Sequence, residues 1–402
     1  MRTALIVVPN RPIRGFSLFG TICSWATPTI CQPLGHTSSQ VIVRRIRILC
    51  LYNGTGNFQW VLPTVHQFED TSPEQPTMTK TLAVFGATGR QGSSVISNVL
   101  ADSELSQQFN LRAITRDAGS DKIKGLEDRG VEIAIGDASD PASLNTALKG
   151  VHTAFVMTAP AFGPDAFEVQ FNSVKHIADA AVAQGVEYIV FSTLPSVINI
   201  SGGKYKAVTP FDAKAKGEEY IRTLPIKSAF VSLGYFMDNF QSQPFLAPHP
   251  APDGTWVMTR NTSAKAVLPF IDAHADSGKY VTAILAEPDK FEGKRLCAAA
   301  SLHTMEEVVS ILSKTTGKKI VHKQISEEEM RATLPDFAAD IFIDALNFGE
   351  EYGYFGPGTA ELVAEGAKLV RGTLTTFEEY QEKHPLQLED ALKGGWHHGG
   401  SQ

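Results

Sequence analysis

Cysteine is scarce in this 402-residue chain, which has four in all, three of them within the first 50 residues. Beyond these only Cys297 remains, so the main part of the chain has neither a disulfide framework nor a cysteine-based metal site. The 11 histidines lack the spacing of metal ligands, and no metal site is predicted. This cysteine usage is typical of a reducing compartment, and we expect a cytoplasmic protein.

Long apolar runs and an excess of positive charge are also missing. No run reaches the roughly 18 apolar residues that span a bilayer, so no membrane association is predicted. The net charge of −7 argues against direct nucleic-acid binding, which needs a basic surface. The HExxH, GxSxG and P-loop spacings are absent, which excludes the corresponding metalloprotease, hydrolase and nucleotide-hydrolysing chemistries.

Acidic residues are absent from residues 1–68, which contain six arginines and no lysine. Such an abrupt change in charge composition is rare within one folded domain, so residues 1–79 are predicted to be a leader. One interpretation is a mitochondrial transit peptide, the only case in which we expect a mitochondrial location. The other is a disordered leader, or upstream sequence joined by an incorrect gene model with Met78 as the true start. The length of the leader and its non-helical arginine spacing favour the second.

Strand and helix patterns alternate through residues 80–233. Strands are predicted at 81–86, 111–115, 131–135, 152–158, 187–192 and 228–233, and helices at 91–100, 121–129, 141–148, 167–184 and 210–223. Asp140 is the expected N-cap of the third helix. This alternation predicts an α/β fold, a Rossmann-type doubly wound parallel sheet with helices on both faces.

The regular alternation ends at Leu233. Residues 234–385 are predicted to form a smaller α+β lobe that covers the substrate and partly returns to the Rossmann sheet. Within it, the proline-rich stretch 243–253 is expected to be an exposed loop. Acidic stretches at 327–329 and 350–351 are expected to be a solvated face. Residues 386–402 are predicted to be a flexible tail.

A glycine-rich turn directly follows the first strand and opens the first helix. It comprises Gly86, Ala87, Thr88, Gly89, Arg90, Gln91 and Gly92. The first glycine permits a tight turn, the second lets the backbone approach a pyrophosphate, and the third allows close packing of helix and strand. In this strand–turn–helix context the motif predicts a dinucleotide site.

The ends of the following strands indicate which dinucleotide is bound. Arg116 follows the second strand, and a guanidinium suits a 2′-phosphate, which favours NADP. Asp117 comes next and keeps NAD open, unless its carboxylate only caps a helix. Asp137 and Ala138, after the third strand, are placed to meet adenine, with an ordinary turn carboxylate as the alternative. Thr158 should lie beside the ribose and nicotinamide, or else cap its strand.

Several segments together resemble the NmrA-like family, an atypical branch of the short-chain dehydrogenase/reductases related to isoflavone-reductase-like proteins. They are GATGRQGSSV (86–95), AITRD (113–117), GD (136–137), PFDAKAKGEEYI (210–221) and GYFMDNF (234–240). The resemblance covers about residues 80–385. It implies an NADP-binding Rossmann domain, a small C-terminal lobe and a ligand cleft between them.

The resemblance also implies roles for particular residues. Lys214 is similar to the lysine that serves catalysis in the reductases, where an ammonium bonds the nicotinamide ribose and helps to move a proton. The alternative is a solvated helix lysine, as expected for Lys216. Tyr235, Phe236 and Asn239 resemble the segment that lines the nicotinamide pocket, although the aromatic rings could instead be lobe core. Ser192 and Thr193 could orient a carbonyl or merely cap their strand.

One departure from the usual dehydrogenase pattern concerns the proton donor. The tyrosine expected four residues before Lys214 is missing, because position 210 is proline. Two functions therefore stay open. The first is an NADP(H)-dependent oxidoreductase of a small organic substrate. The second is a non-catalytic redox sensor that binds dinucleotide and signals to a regulatory protein partner, for which a nuclear location is expected.

Overall fold

The computed structural model describes residues 49–52, 58–61 and 79–393, and the chain divides into two units, 1–73 and 74–402. In the first unit, strand β1 (Leu49–Tyr52) pairs antiparallel with β2 (Phe58–Val61). The sequence patterns did not predict this hairpin. The rest of the leader lies outside the described residues, so its interpretation stays a prediction.

The second unit begins with the predicted alternation of strands and helices. Its elements are β3 (Lys80–Phe85), α1 (Arg90–Ala101), α2 (Leu105–Gln108), β4 (Phe109–Thr115), α3 (Asp121–Glu127), β5 (Glu132–Ile135), α4 (Pro141–Ala147), β6 (Thr153–Val156), α5 (Ala166–Ala183), β7 (Tyr188–Thr193), α6 (Val197–Ile200), α7 (Thr209–Ile221) and β8 (Lys227–Leu233). The six strands and five helices predicted here are all present, and the carboxylate of Asp140 caps α4 as expected. The short helices α2 and α6 were not predicted.

The remaining elements are shorter and less regular. They are β9 (Tyr235–Phe236), α8 (Asn239–Ser242), a 3₁₀ turn (Pro244–Leu246), β10 (His249–Pro250), β11 (Trp256–Arg260), β12 (Val267–Ile271), α9 (Ser277–Ala286), α10 (Pro288–Phe291), β13 (Arg295–Ala298), β14 (Ser301–Thr304), α11 (Met305–Thr316), β15 (Ile320–Gln324), α12 (Glu327–Thr333), α13 (Asp336–Tyr352), α14 (Thr359–Ala367), α15 (Phe377–Lys383) and α16 (Leu388–Ala391). Two small three-stranded sheets, β10-β11-β15 and β14-β12-β9, form the lobe.

A seven-stranded parallel sheet in the order β13-β8-β7-β6-β3-β4-β5 forms the centre of the second unit. The winding direction reverses between β3 and β6, and ligands of such sheets bind outside the carboxyl ends of the strands at that point. This order confirms the predicted Rossmann-type fold.

Both faces of the central strand β3 are buried, which explains its continuous apolar sequence. Leu82 and Val84 pack in a cluster with α1 and α9, whereas Ala83 and Phe85 pack in another with α4 and α5. Helix α9 lies close to α1 because Gly278 has no side chain: a Cβ there would lie 2.3 Å from the Ser94 carbonyl oxygen. The C-terminal part of the chain therefore completes one face of the Rossmann core.

Two predicted exposed segments are partly buried. In the stretch 243–253, Leu246 and Ala247 are each 1% exposed and belong to the lobe core, because the 3₁₀ turn folds them inward. The predicted tail also begins too early, since Leu386 and Leu388 are buried in the same core. Residues 394–402 lie outside the described residues.

Carboxylates of helix α13 accept hydrogen bonds from the segment that connects β7 to α7. The Asp344 carboxylate accepts hydrogen bonds from the backbone N–H groups of residues 206 and 207, and Glu351 accepts from the Lys204 ammonium and the Tyr205 hydroxyl. Glu350 accepts from the Ser263 backbone at 2.9 Å. The acidic residues at 350–351 are exposed, as predicted, but they also tie two segments together. No helix in the described ranges has the length and hydrophobicity to cross a membrane.

Candidate functional site

The glycine-rich turn is closed by a hydrogen bond from the Gly89 N–H to the Gly86 carbonyl, at 2.9 Å. Gly86 has a φ of +64°, and a Cβ there would lie 2.4 Å from the Met157 sulfur. No side chain caps the first turn of α1, and none of the residues in that turn is acidic. An anion at this end would meet backbone N–H groups and the positive end of the helix dipole.

Gly92 is the point at which α1 approaches the turn most closely. A Cβ on this residue would lie 2.2 Å from the Gly86 carbonyl oxygen and 2.6 Å from its carbon, distances that no side chain could tolerate. The packing role predicted for the third glycine thus has a direct structural reason.

Arg90 links the turn to the segment that follows β8. Its Nε donates to the Asp238 carboxylate at 2.6 Å, and its guanidinium carbon lies 5.9 Å from the Phe236 ring centre. Neighbouring Gln91 is 8% exposed, and its Oε1 has no hydrogen-bond partner. Ala87 is buried and Thr88 is half-buried on the same turn. Sequence patterns did not identify Asp238 as the partner of Arg90, because the two lie far apart in the chain.

At the ends of β4 and β5 the structure brings Arg116 and Asp137 together. Asp137 Oδ1 accepts from the Ser139 N–H and hydroxyl, both at 2.8 Å. These hydrogen bonds, with the nearby Arg116 charge, lower the pKa of Asp137. The Asp117 carboxylate is used within its own turn, because its Oδ1 accepts a hydrogen bond from the Gly119 N–H at 2.7 Å. The Ala138 carbonyl contacts the His176 ring nitrogen at 2.8 Å.

Lys214 is 6% exposed and lies where β6 and β7 end. Its ammonium donates to the carbonyls of Thr158 at 3.2 Å and Ser192 at 3.3 Å. Within the described part of the chain no carboxylate forms an ion pair with it, and burial lowers the pKa of Lys214 to about 8. The alternative of a solvated lysine therefore does not hold here, although it does for the exposed Lys216.

Buried polar groups around Lys214 fix the start of α7. The Asp212 carboxylate accepts from the Ser196 hydroxyl and the Ile198 N–H, both at 3.1 Å, which holds the segment after β7 against α7. Burial raises the pKa of Asp212. The Thr193 hydroxyl donates to the Lys214 carbonyl at 3.4 Å, so it links the end of β7 to the backbone of α7. Sequence patterns did not single out Asp212 for this role.

Thr158 presents an unused hydroxyl beside Lys214. The residue is 7% exposed, and its Oγ1 is buried without a hydrogen-bond partner. A buried hydroxyl in a native structure is usually paired with protein, water or ligand. Thr158 and Gln91 therefore supply two unpartnered polar atoms among the predicted site residues.

The segment Tyr235–Asn239 has a mixed environment. The Tyr235 ring lies 5.6 Å from that of Phe240 and 5.5 Å from that of Phe270, so it packs in the lobe core. Its hydroxyl has Asn239 and Arg260 as polar neighbours, and burial raises the pKa of Tyr235 to about 12. The packing of the ring agrees with the lobe-core alternative, and the nicotinamide-pocket role of Tyr235 stays a prediction.

The predicted site residues converge at one edge of the sheet. The turn at 86–92, Arg116, Asp137, Thr158 and Lys214 all follow carboxyl ends of its parallel strands or lie against them. No group of three or more His, Cys, Asp or Glu residues suited to a metal occurs in the described ranges. The arrangement can bind an anionic ligand at α1 and place a cation of perturbed pKa beside it.

Comparison with known proteins gives consistent results. Residues 78–381 match the profile of the NmrA-like family. An NmrA-like family domain-containing protein of Dictyostelium discoideum is 28% identical over 78% of this chain and 100% of its own length. The NmrA-like family domain-containing oxidoreductase lnaB of Aspergillus flavus is 29% identical over 60% of this chain and 74% of its own. The crystal structure of NmrA, a negative transcriptional regulator, in complex with NADP superimposes with a TM-score of 0.65 at 24% identity, covering 80% of this chain and 99% of that one.

Proposed function

The chain belongs to the NmrA-like family, and from this premise we propose that it is an NADP(H)-dependent oxidoreductase acting on a small organic substrate. The observation that carries the proposal is the buried Lys214 ammonium, which has no carboxylate partner among the described residues and a lowered pKa. Groups with such perturbed pKa values at the carboxyl edge of a parallel sheet are typical of active sites.

The residues present fit a dinucleotide phosphate. Gly92 would collide with the turn if it had a Cβ, and the first turn of α1 has no acidic residue to repel an anion. The N–H groups of residues 90–92 would hold the pyrophosphate, with the Arg90 side chain beside them. Asp137 and Ala138 would lie near adenine, and Thr158, Tyr235, Phe236 and Asn239 near the nicotinamide. When bound, NADPH supplies the hydride.

Lys214 would orient the bound ribose and hold a proton next to the reacting centre. Its ammonium is fixed by two neutral carbonyls, so it keeps at least one N–H for a ligand. A pKa near 8 lets it exchange a proton close to neutral pH, as general acid–base groups require. Since position 210 is proline, this proton route does not use the tyrosine of ordinary short-chain dehydrogenases.

Arg116→Ala is expected to weaken NADP binding by about 10-fold or more and to leave NAD binding almost unchanged, because only NADP has the 2′-phosphate. Asp117 closes its own turn, so Asp117→Ala should change the two affinities equally. Isothermal titration with both dinucleotides measures the difference. Equal weakening of NADP and NAD by Arg116→Ala would reject the 2′-phosphate assignment.

The proposed activity can be tested without knowing the substrate. The full chain is incubated with metabolite extract and NADPH deuterated at C4, on each face in turn, and mass spectrometry detects products that gain deuterium only when the protein is present. We expect label to be transferred from one face of the nicotinamide alone, and the labelled metabolite would identify the product. If NADPH binds but no metabolite gains label, the oxidoreductase proposal is wrong.

A redox sensor that signals to a protein partner is the second candidate. The missing tyrosine at position 210 favours it, since that departure removes a standard proton donor. The similar NmrA structure is described as a negative transcriptional regulator, which is a statement about that protein. In this case NADPH would bind without turnover, and the label experiment would separate the two functions.

A further inference from the structure

Arg260, at the end of β11, is a buried cation that the proposed chemistry does not use. The residue is 2% exposed. Its Nη1 donates to the Thr259 carbonyl and its Nη2 to the Leu246 carbonyl, both at 2.7 Å. The Tyr235 hydroxyl is its side-chain neighbour. These partners are all neutral, and no carboxylate in the described ranges forms an ion pair with the guanidinium.

A buried charge without a counterion is costly, and proteins usually pair such groups. The two carbonyls orient the guanidinium, but they do not neutralise it. Burial and, after it, the Arg260 charge lower the pKa of His322, while the Glu350 carboxylate acts in the opposite direction. His322 pairs with Met258 in the β11–β15 register, so its side chain and that of Arg260 project from the same face, and its Nε2 is buried without a partner. An anion would satisfy this environment.

Arg260 is connected to the proposed active site through half-buried aromatic residues. Tyr235 joins it to the segment predicted to line the nicotinamide pocket, and it lies close enough to Tyr354 to add to the effect of burial in raising the pKa of Tyr354. The Tyr354 ring is 5.5 Å from that of Phe211, which precedes Lys214 by one turn of α7. Three neighbouring aromatic residues, Tyr235, Tyr354 and Phe211, therefore lie between the two buried cations, Lys214 and Arg260.

We propose that Arg260 binds an anionic group of the substrate, and that the substrate is an aromatic carboxylate or a similar flat organic acid. This inference rests on the proposed function, because it assigns the substrate class of the proposed oxidoreductase. The guanidinium can hold a carboxylate through two parallel hydrogen bonds, while Tyr235, Tyr354 and Phe211 contact the ring. Arg260 is thus a specificity-determining residue.

Benzoate and its neutral analogue benzamide test the proposal by binding alone. Each is titrated calorimetrically into the full chain loaded with NADPH. We expect benzoate to bind at least about 10-fold more tightly than benzamide, because only benzoate pairs with the guanidinium. Arg260→Gln should remove this preference, and Arg260→Lys should keep part of it. Arg129→Gln, at an exposed arginine, is the matched control and should keep all of it.

Three results would overturn the assignment: equal binding of benzoate and benzamide to the wild type, no binding of benzoate, or a preference for benzoate that is kept in Arg260→Gln. The wild-type comparison stands even if Arg260→Gln does not fold, which the thermal unfolding curve would reveal. A separate NADPH titration distinguishes failure of the proposed function. If NADPH does not bind, benzoate and benzamide are titrated into the free protein, and the ratio of their affinities still decides the role of Arg260.

Discussion

Lys214→Met should reduce NADPH-dependent deuterium transfer by about 100-fold or more while NADPH affinity stays within about 3-fold of wild type. Methionine fills a similar volume in this buried position but has no N–H to orient the ribose and no proton to exchange. Label incorporation per unit time measures the loss, and fluorescence titration measures the retained NADPH binding. The combination separates a catalytic residue from one that only supports the fold.

The pH dependence of deuterium transfer is a second test of the role of Lys214. The pKa of Lys214 is near 8, so the ammonium loses its proton as the pH rises through that value. If the charged form is the active one, wild-type transfer should fall above about pH 8, and the residual transfer of Lys214→Met should lack this decrease.

Lys216→Met is the matched control for Lys214→Met, because Lys216 lies on the same helix but is exposed and pairs with Glu219 at 2.9 Å. We expect its transfer rate to equal that of the wild type. Equal loss in both variants, or unchanged transfer in Lys214→Met, would remove Lys214 from the mechanism.

Gly92→Ala should lower NADPH affinity by about 100-fold or more, because the new methyl group would force α1 away from the turn that holds the pyrophosphate. The nearest atoms are backbone atoms of Gly86 and Ala87, which cannot move aside as a flexible side chain could. The variant should also unfold more easily, by about 1–3 kcal/mol, as overpacked positions do. Calorimetric titration and thermal unfolding measure the two effects separately.

Gly125→Ala is the matched control, because Gly125 lies in helix α3 and a Cβ there would have no atom within 4 Å. Alanine is the better helix former, so this variant should be more stable by up to about 1 kcal/mol and should bind NADPH normally. If Gly92→Ala also binds NADPH normally, the turn does not hold the phosphate.

Local patterns were sufficient to predict the first half of the second unit. The strands β3, β6, β7 and β8 are mostly buried apolar runs bounded by turn residues. The glycines of the turn at 86–92 are recognisable because the geometry of the turn requires them. Lys214 could be found because a family motif surrounds it. Its burial could not, since that depends on β6 and β7 meeting α7.

Several of the contacts that the sequence did not reveal join distant segments. Arg90 pairs with Asp238 across 148 positions, and β13 joins the sheet beside β8 although about 60 residues separate them. Nothing in the sequence near Arg260 indicates that it is buried without a counterion. Periodicity reports which face of an element is apolar, but it does not report which other element will cover that face.

The packing of α9 on α1 has a consequence for synthesis of the protein. When Leu233 leaves the ribosome, the surface of α1 around Ser94, against which Gly278 of α9 packs, is uncovered, because α9 follows about 50 residues later. At translation rates of roughly 5–20 residues per second, the exposed interval lasts about 2.5–10 s. One edge of β8 likewise has no strand partner until β13 has been synthesised. The nascent Rossmann unit therefore resembles a chaperone substrate until its last layer has been made.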